Sequence, residues 1–176
     1  MSFARILFGS TGALIAIMAV AIAAGVRINV TESIPLGLYR EIDPSLVRGQ
    51  LVIACLDPDN RAVAEALERG YMPVGNCPGG VAPVIKHIAA VPGDRINASS
   101  DGLILNGQLL DQTRPLLFDP KGRPLHRTYA RSYEIQPGQV LLLAQGAGSF
   151  DGRYFGPTPV SGIRAAAKPL LTTSPH

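Results

Sequence analysis

Cysteine is nearly absent from this 176-residue chain, and Cys55 and Cys77 form no C-x-x-C pair. Histidine is equally sparse, with His87, His126 and His176 far apart. A zinc site built on clustered thiolates and imidazoles is therefore excluded, and no other metal or cofactor is implied. Isolated histidines and the lack of a G-x-S-x-G elbow also argue against a Ser-His-Asp triad. Charged residues make up only 16% of the chain, with a net charge of +3. The Lys and Arg residues are scattered and are not interleaved with aromatic residues, so no nucleic-acid stacking surface is expected. The mild basicity suits anionic surfaces, including lipid head groups.

Charge is missing altogether from residues 6–26, between Arg5 and Arg27. A helix needs roughly 20 apolar residues to cross a bilayer, so this run reads as one transmembrane anchor. Ala21-Ile22-Ala23 has the small residues of an export-signal cleavage site, but a single leading Arg and a long apolar run favour a retained span. Residues 1–5 then form a cytoplasmic N-terminus, and residues 27–176 one outward-facing domain. Arg5 alone does not fix that orientation.

What is abundant is glycine and proline, 19 and 15 residues, which with so little charge points to many turns between short strands. A mainly β fold of short antiparallel strands with one or two short helices is expected. Arg48-Gly49-Gln50, Pro92-Gly93-Asp94 and Pro137-Gly138-Gln139 each precede an apolar run and read as turns feeding strands. Residues 59–69 carry Ala62, Val63, Ala66 and Leu67 at helical spacing before Gly70, which predicts one short helix. Residues 27–32 read as a polar link, 72–83 as an irregular Gly/Pro loop and 84–91 as a strand. Tight turns are expected at Asp101-Gly102 and Asn106-Gly107. Residues 111–131 read as loop or irregular strand, and the tail from Lys168 as poorly ordered.

Lys86 sits among Val84, Ile85 and Ile88. If that strand face is buried, desolvation disfavours the ammonium and makes Lys86 a candidate general base. On an edge strand it would instead reach solvent. His87 would point to the opposite face. Ser33, in a Gly/Pro-containing loop just after the apolar run, is the candidate nucleophile; taken alone it would be a turn residue. Cys77 as a nucleophile lacks an evident base. In an oxidising compartment Cys55 and Cys77 would form a disulfide; otherwise they are two buried thiols.

Three ordered blocks carry a family resemblance: Thr31-Glu32-Ser33-Ile34-Pro35-Leu36-Gly37-Leu38-Tyr39, Lys86-His87-Ile88-Ala89-Ala90-Val91-Pro92-Gly93-Asp94, and Gly148-Ser149-Phe150-Asp151-Gly152-Arg153-Tyr154-Phe155-Gly156. They resemble the nucleophile motif, lysine box and S-x-D-S-R-Y-x-G box of type I signal peptidases. The spacing Thr-x-Ser-x-Pro-x-Gly-x-Tyr, the compact length and Cys77-Pro78-Gly79-Gly80 resemble the TraF-type peptidases of conjugative transfer.

That resemblance implies a signal-peptidase-like β fold and a serine-lysine dyad of Ser33 and Lys86. Thr31 would help form the oxyanion hole, and Ser149 would orient Lys86. Asp151 and Arg153 would support the site, Asp151 being implicated in activity in the TraF-type group. Gly152 departs from the box, where serine is common. The implied substrate is a membrane-inserted precursor, a conjugative propilin whose maturation includes cyclisation, processed by a monomer anchored in the bacterial inner membrane and facing the periplasm. Two other readings stay open: a general type I signal peptidase, and a non-enzymatic membrane-anchored pilus-assembly module.

Overall fold

Glycine sets the turns that feed the strands. Gly49, Gly93 and Gly138 all adopt positive φ, between 82° and 88°, where a side chain would be strained. The segments that follow them are β3 (Leu51–Ala54), β5 (Arg95–Ala98) and β9 (Gln139–Leu143), as the three sequence echoes predict. The computed structural model describes residue 16 and residues 18–30, 33–127 and 130–173. The expected span falls largely outside these, at residues 6–15 and 17. Residues 18–23 are helical, and among the described residues no helix is long and apolar enough to cross a membrane.

Among the described residues eleven strands build two antiparallel sheets. Besides the three above they are β1 (Val26–Asn29), β2 (Gly37–Ile42), β4 (Val84–Ala90), β6 (Leu103–Leu105), β7 (Gln108–Leu109), β8 (Ser132–Glu134), β10 (Thr158–Pro159) and β11 (Ile163–Thr172). The larger sheet runs β1-β2-β11-β3-β4-β9-β10 and the smaller β7-β6-β5-β8. Asn106 and Gly107, both at positive φ, turn β6 into β7 as expected.

Two expectations are corrected. Residues 27–32 are not simply a polar link, because Val26–Asn29 pairs with Gly37–Arg40 as β1 against β2. The chain leaves the helical residues through Gly25, at φ 76°, so Val26 is strand rather than the end of a helix. Nor are residues 168–172 a poorly ordered tail: β11 runs to Thr172 between β2 and β3, while residues 174–176 lie outside the described residues. Its small residues Ala165, Ala166 and Ala167 are buried there. From Ala167 onward it pairs with β2 alone, so Pro169, lacking an N–H, meets only one ladder.

Three apolar clusters hold the layers together. Val52, Ile88, Val140 and Leu142 pack against Ala62, Val63 and Ala66 of helix α1 (Arg61–Glu68). Ile34, Tyr39, Leu51, Ile53, Ala165 and Ala167 form a second cluster, and Ala90, Leu141 and Leu143 join the small sheet to the large one through Ile96 and Ile135. Helix α1 starts where Asn60 accepts from the N–H of Ala62 and Val63, and ends where Gly70 and Tyr71 donate to the carbonyls of Leu67 and Ala66. Residues 111–127 contain no strand, only a bridge between Phe118 and Pro124. They are organised by Asp119, whose carboxylate accepts from Tyr71, Arg123 and two backbone N–H groups.

Cys55 and Cys77 are joined, tying the 72–83 loop to the end of β3 across a separation of 22 residues. Closing a loop of that length restricts the unfolded chain by about 3 kcal/mol. Replacing both cysteines by alanine is expected to lower the unfolding free energy by about that amount, measured by urea titration with and without reductant.

Candidate active site

Lys86 shares its side of β4 with Ile88, two residues on, and pairs with Val52 of β3, which belongs to the same apolar cluster as Ile88. Only 4% of Lys86 is exposed. Its ammonium nitrogen meets two hydroxyls, donating to Ser33 Oγ at 3.0 Å and Ser149 Oγ at 2.6 Å. Ser33 Oγ and Ser149 Oγ are themselves 3.2 Å apart. Three chain segments thus converge on one triangle of polar atoms. The Lys86 pKa is lowered to about 8: burial lowers it most, the Asp151 carboxylate works against that, and the Arg153 cation adds to the lowering. Because the folded value lies below the free value of 10.5, folding becomes more favourable as pH rises from about 8 to 10.5. Below about 8 the full cost of burying the cation remains, about 3 kcal/mol.

The motif around Ser33 is a built loop. Ile34 is buried and anchors the segment in the second apolar cluster. The Tyr39 hydroxyl donates to the Pro35 carbonyl at 2.6 Å, and Asn29 Nδ2 donates to the carbonyls of Ile34 and Pro35 at 3.1 and 3.2 Å. Gly37, at φ 147°, passes so close to β11 that a Cβ would sit 2.1 Å from the Leu171 carbonyl oxygen. The Pro, Gly and Tyr of the motif therefore serve the backbone that presents Ser33. Asn29 was not legible as a site residue, because a polar residue in an apparent linker gives no signal of its own.

Ser149 is held by a buried ion pair. Arg153 and Asp151 are 1% and 0% exposed, and their two-pronged contact has both N···O distances at 2.8 Å. The Arg153 guanidinium also donates to the carbonyls of Gln112, Gly146, Ala147 and Ser149. Asp151 accepts from the Ala144 N–H and caps helix α2 (Gly152–Phe155) through the Arg153 N–H. The loop bearing Ser149 is consequently gathered around one guanidinium. Gly152 is explained by space: a Cβ there would lie 2.7 Å from both Leu141 Cδ1 and the Leu142 carbonyl oxygen.

Thr31 lies outside the described residues. His87 Nδ1 lies 3.1 Å from the Gly49 carbonyl oxygen, away from the triangle. Cys77 is engaged with Cys55, so it offers no thiol nucleophile. Among the described residues no group of three or more His, Cys, Asp or Glu side chains is placed to hold a metal ion.

The triangle lines a cleft of about 750 Å³. Ile85 also lines it, and the ladder explains its use. Ile88 exchanges bonds toward the β3 side, so by alternation Lys86 and Val84 do the same while the N–H and C=O of Ile85 face away. β9 covers that edge of β4 only from His87 onward. An unpaired strand edge thus runs beside the hydroxyl of Ser33, with Met72, Pro73 and Phe150 as apolar wall.

Two outcomes are expected. Asp151→Ala leaves the Arg153 cation buried without its partner and costs about 3–5 kcal/mol in chemical denaturation. Lys86→Met removes a buried charge while Ser33 and Ser149 still bond each other, so it raises stability near pH 6 by about 1–3 kcal/mol, a gain that shrinks above pH 8.

Comparison with known proteins agrees with the blocks read from the sequence. Residues 6–171 match the family described as signal peptidase, peptidase S26. A plasmid transfer protein TraF from Escherichia coli is 40% identical over 151 residues, covering 85% of this chain and 84% of that protein. A conjugal transfer protein TraF from Agrobacterium tumefaciens is 38% identical over 176 residues, covering 97% of this chain and 98% of its own length. A signal peptidase I from Enterococcus faecalis superposes with a TM-score of 0.41 at 18% identity, over 71% of this chain and 98% of that one. On the extent of the family match and the level of identity to these transfer proteins, the chain belongs to the S26 signal peptidase family.

Proposed function

We propose that this protein is a membrane-anchored serine endopeptidase that removes a signal or terminal peptide from an exported precursor, with Ser33 as nucleophile and Lys86 as general base. The observation that carries this reading is the 3.0 Å contact between Lys86 Nζ and Ser33 Oγ, made by a lysine whose burial brings its pKa to about 8. A neutral amine at that distance takes the hydroxyl proton as Ser33 Oγ attacks the scissile carbonyl. The negative charge on the tetrahedral oxygen falls to the Ser33 N–H and the Thr31 hydroxyl. Collapse breaks the C–N bond, the leaving amine receives the proton held on Lys86, and an ester to Ser33 remains. Water, deprotonated by Lys86, then releases the acid. A substrate amine attacking in its place would form a new amide and yield a cyclic product.

Ser149 fixes the Lys86 amine, and Asp151 with Arg153 fixes Ser149. The substrate lies extended along the free edge of β4, adding a strand through Ile85, with small side chains before the cut. The TraF-type relatives make a conjugative propilin the favoured substrate, with cyclisation as the second step. The enzyme works as a monomer in the inner membrane with residues 27–176 in the periplasm, a compartment that suits the Cys55–Cys77 bond. Contact with lipid is supported at the β1 edge, where Ile28 and Leu171 flank Leu38 and are 69% and 70% exposed, beside the helical residues 18–23.

The test is the mass of a co-expressed propilin in membranes holding wild-type, Ser33→Ala or Lys86→Ala protein. Both variants are expected to leave the precursor intact while remaining folded, a loss of at least about 1,000-fold in rate. Loss of one water from the mature wild-type product marks cyclisation. Continued processing in both variants would sink the dyad. For the wild type, kcat/KM on a model peptide should climb as pH passes through about 8, since the base acts only when deprotonated.

A further inference from the structure

Although the basic residues are scattered along the chain, the fold gathers several of them. A second pocket, of about 830 Å³, is lined by Arg114, His126, Arg127 and Arg131 together with Ser99 and Ser100. No carboxylate is among its lining residues. Arg27, Arg48, Arg69, Arg95, Arg123 and Arg153 each pair with an acidic side chain, whereas none of the ion pairs among the described residues involves Arg40, Arg61, Arg164, these three arginines or His126; what sets these three apart is that they line one concavity. Arg127 donates to the Ser99 carbonyl, which fixes one wall. Three guanidinium groups around one concavity repel each other and raise the local potential, a charge pattern that an anion relieves. Their planar forks match the paired oxygens of carboxylates and phosphates.

Position identifies the anion. Leu125 lines both this pocket and the cleft that holds Ser33; Leu116 faces the cleft while its neighbour Leu117 faces the pocket. The Leu125 N–H donates to the Leu117 carbonyl, so a thin partition of two bonded loop segments separates the two spaces. The pocket lies on the small-sheet side, beside Ala98 at the end of β5, whereas the helical residues 18–23 enter at β1, the far edge of the large sheet. That separation disfavours lipid head groups, and among the described residues no aromatic side chain lines the pocket to offer a base a stacking face.

We propose that this pocket holds an acidic segment of the polypeptide whose scissile bond lies in the neighbouring cleft, making Arg114, Arg127 and Arg131 determinants of substrate choice. The inference rests on the peptidase reading above, but its test needs no turnover. Full-length Ser33→Ala protein in detergent is titrated into fluorescent peptides that share a small-residue cleavage site and carry a four-residue Asp or Asn stretch, either before or after it. At low salt, one placement of the Asp stretch is expected to bind about tenfold tighter than its Asn counterpart by anisotropy, and the gap should close as salt rises. Arg114→Glu/Arg131→Glu, both at exposed positions, should erase the gap and leave the Asn peptides bound as before. Equal binding of Asp and Asn peptides in both placements overturns the proposal. So does discrimination that survives in the double variant, or binding to anionic-lipid vesicles that the double variant loses while the peptides are not discriminated. A failed dyad would instead appear as peptide binding without cleavage by the wild type.

Discussion

An ammonium group held out of water is the constraint around which the structure is arranged. Lys86 sits in a central strand of a sheet covered on both faces, where its charged form costs stability at neutral pH. Elsewhere a fold removes such a cost by pairing the cation with a carboxylate. Here the carboxylate that acts on it, Asp151, is already engaged by Arg153, and among the described residues the amine meets two hydroxyls. The lysine is therefore kept ready to lose its proton, and the apolar clusters on either side of β3 and β4 supply the stability that this arrangement consumes.

The Asp151–Arg153 pair plays the complementary part. It is as buried as any residue in the molecule, yet its donors and acceptors are fully used on backbone groups of residues 112 and 144–153. A loop rich in glycine and alanine has little side-chain packing of its own to define it. Wrapping that loop around a guanidinium substitutes hydrogen bonds for packing, and Ser149 is positioned as a result. The tight fit of Gly152 against β9 completes the attachment, because helix α2 approaches the strand more closely than a side chain allows.

Much of this was legible in the sequence where local chemistry decides. The three Gly turns, the helix between Asn60 and Gly70 and the strand bearing Lys86 follow from backbone preference and periodicity. The meeting of Ser33, Lys86 and Ser149 was legible only through a family resemblance, since nothing in a lone strand says whether its lysine faces solvent. Two strands were read as something else, for opposite reasons. β1 looks polar because Arg27 and Asn29 interrupt it, although Asn29 is spent on holding the Ser33 loop. β11 looks like a frayed tail because of Lys168 and Pro169, although pairing of its first residues with β3 and of its later ones with β2 decides its fate. The basic pocket was invisible because its arginines come from both ends of an aperiodic segment.

The place of β11 has a bearing on how the molecule is made. The hairpin of β1 and β2 carries the Ser33 loop, while β3 and β4 carry Lys86, and these two units share no ladder except through β11, which enters between them. Ser33 and Lys86 are therefore brought into register by a segment synthesised after both. Pairings so distant in sequence form slowly. During its own biogenesis the nascent chain holds two parts of the polar triangle that do not yet face one another, and they meet only when this last ladder closes.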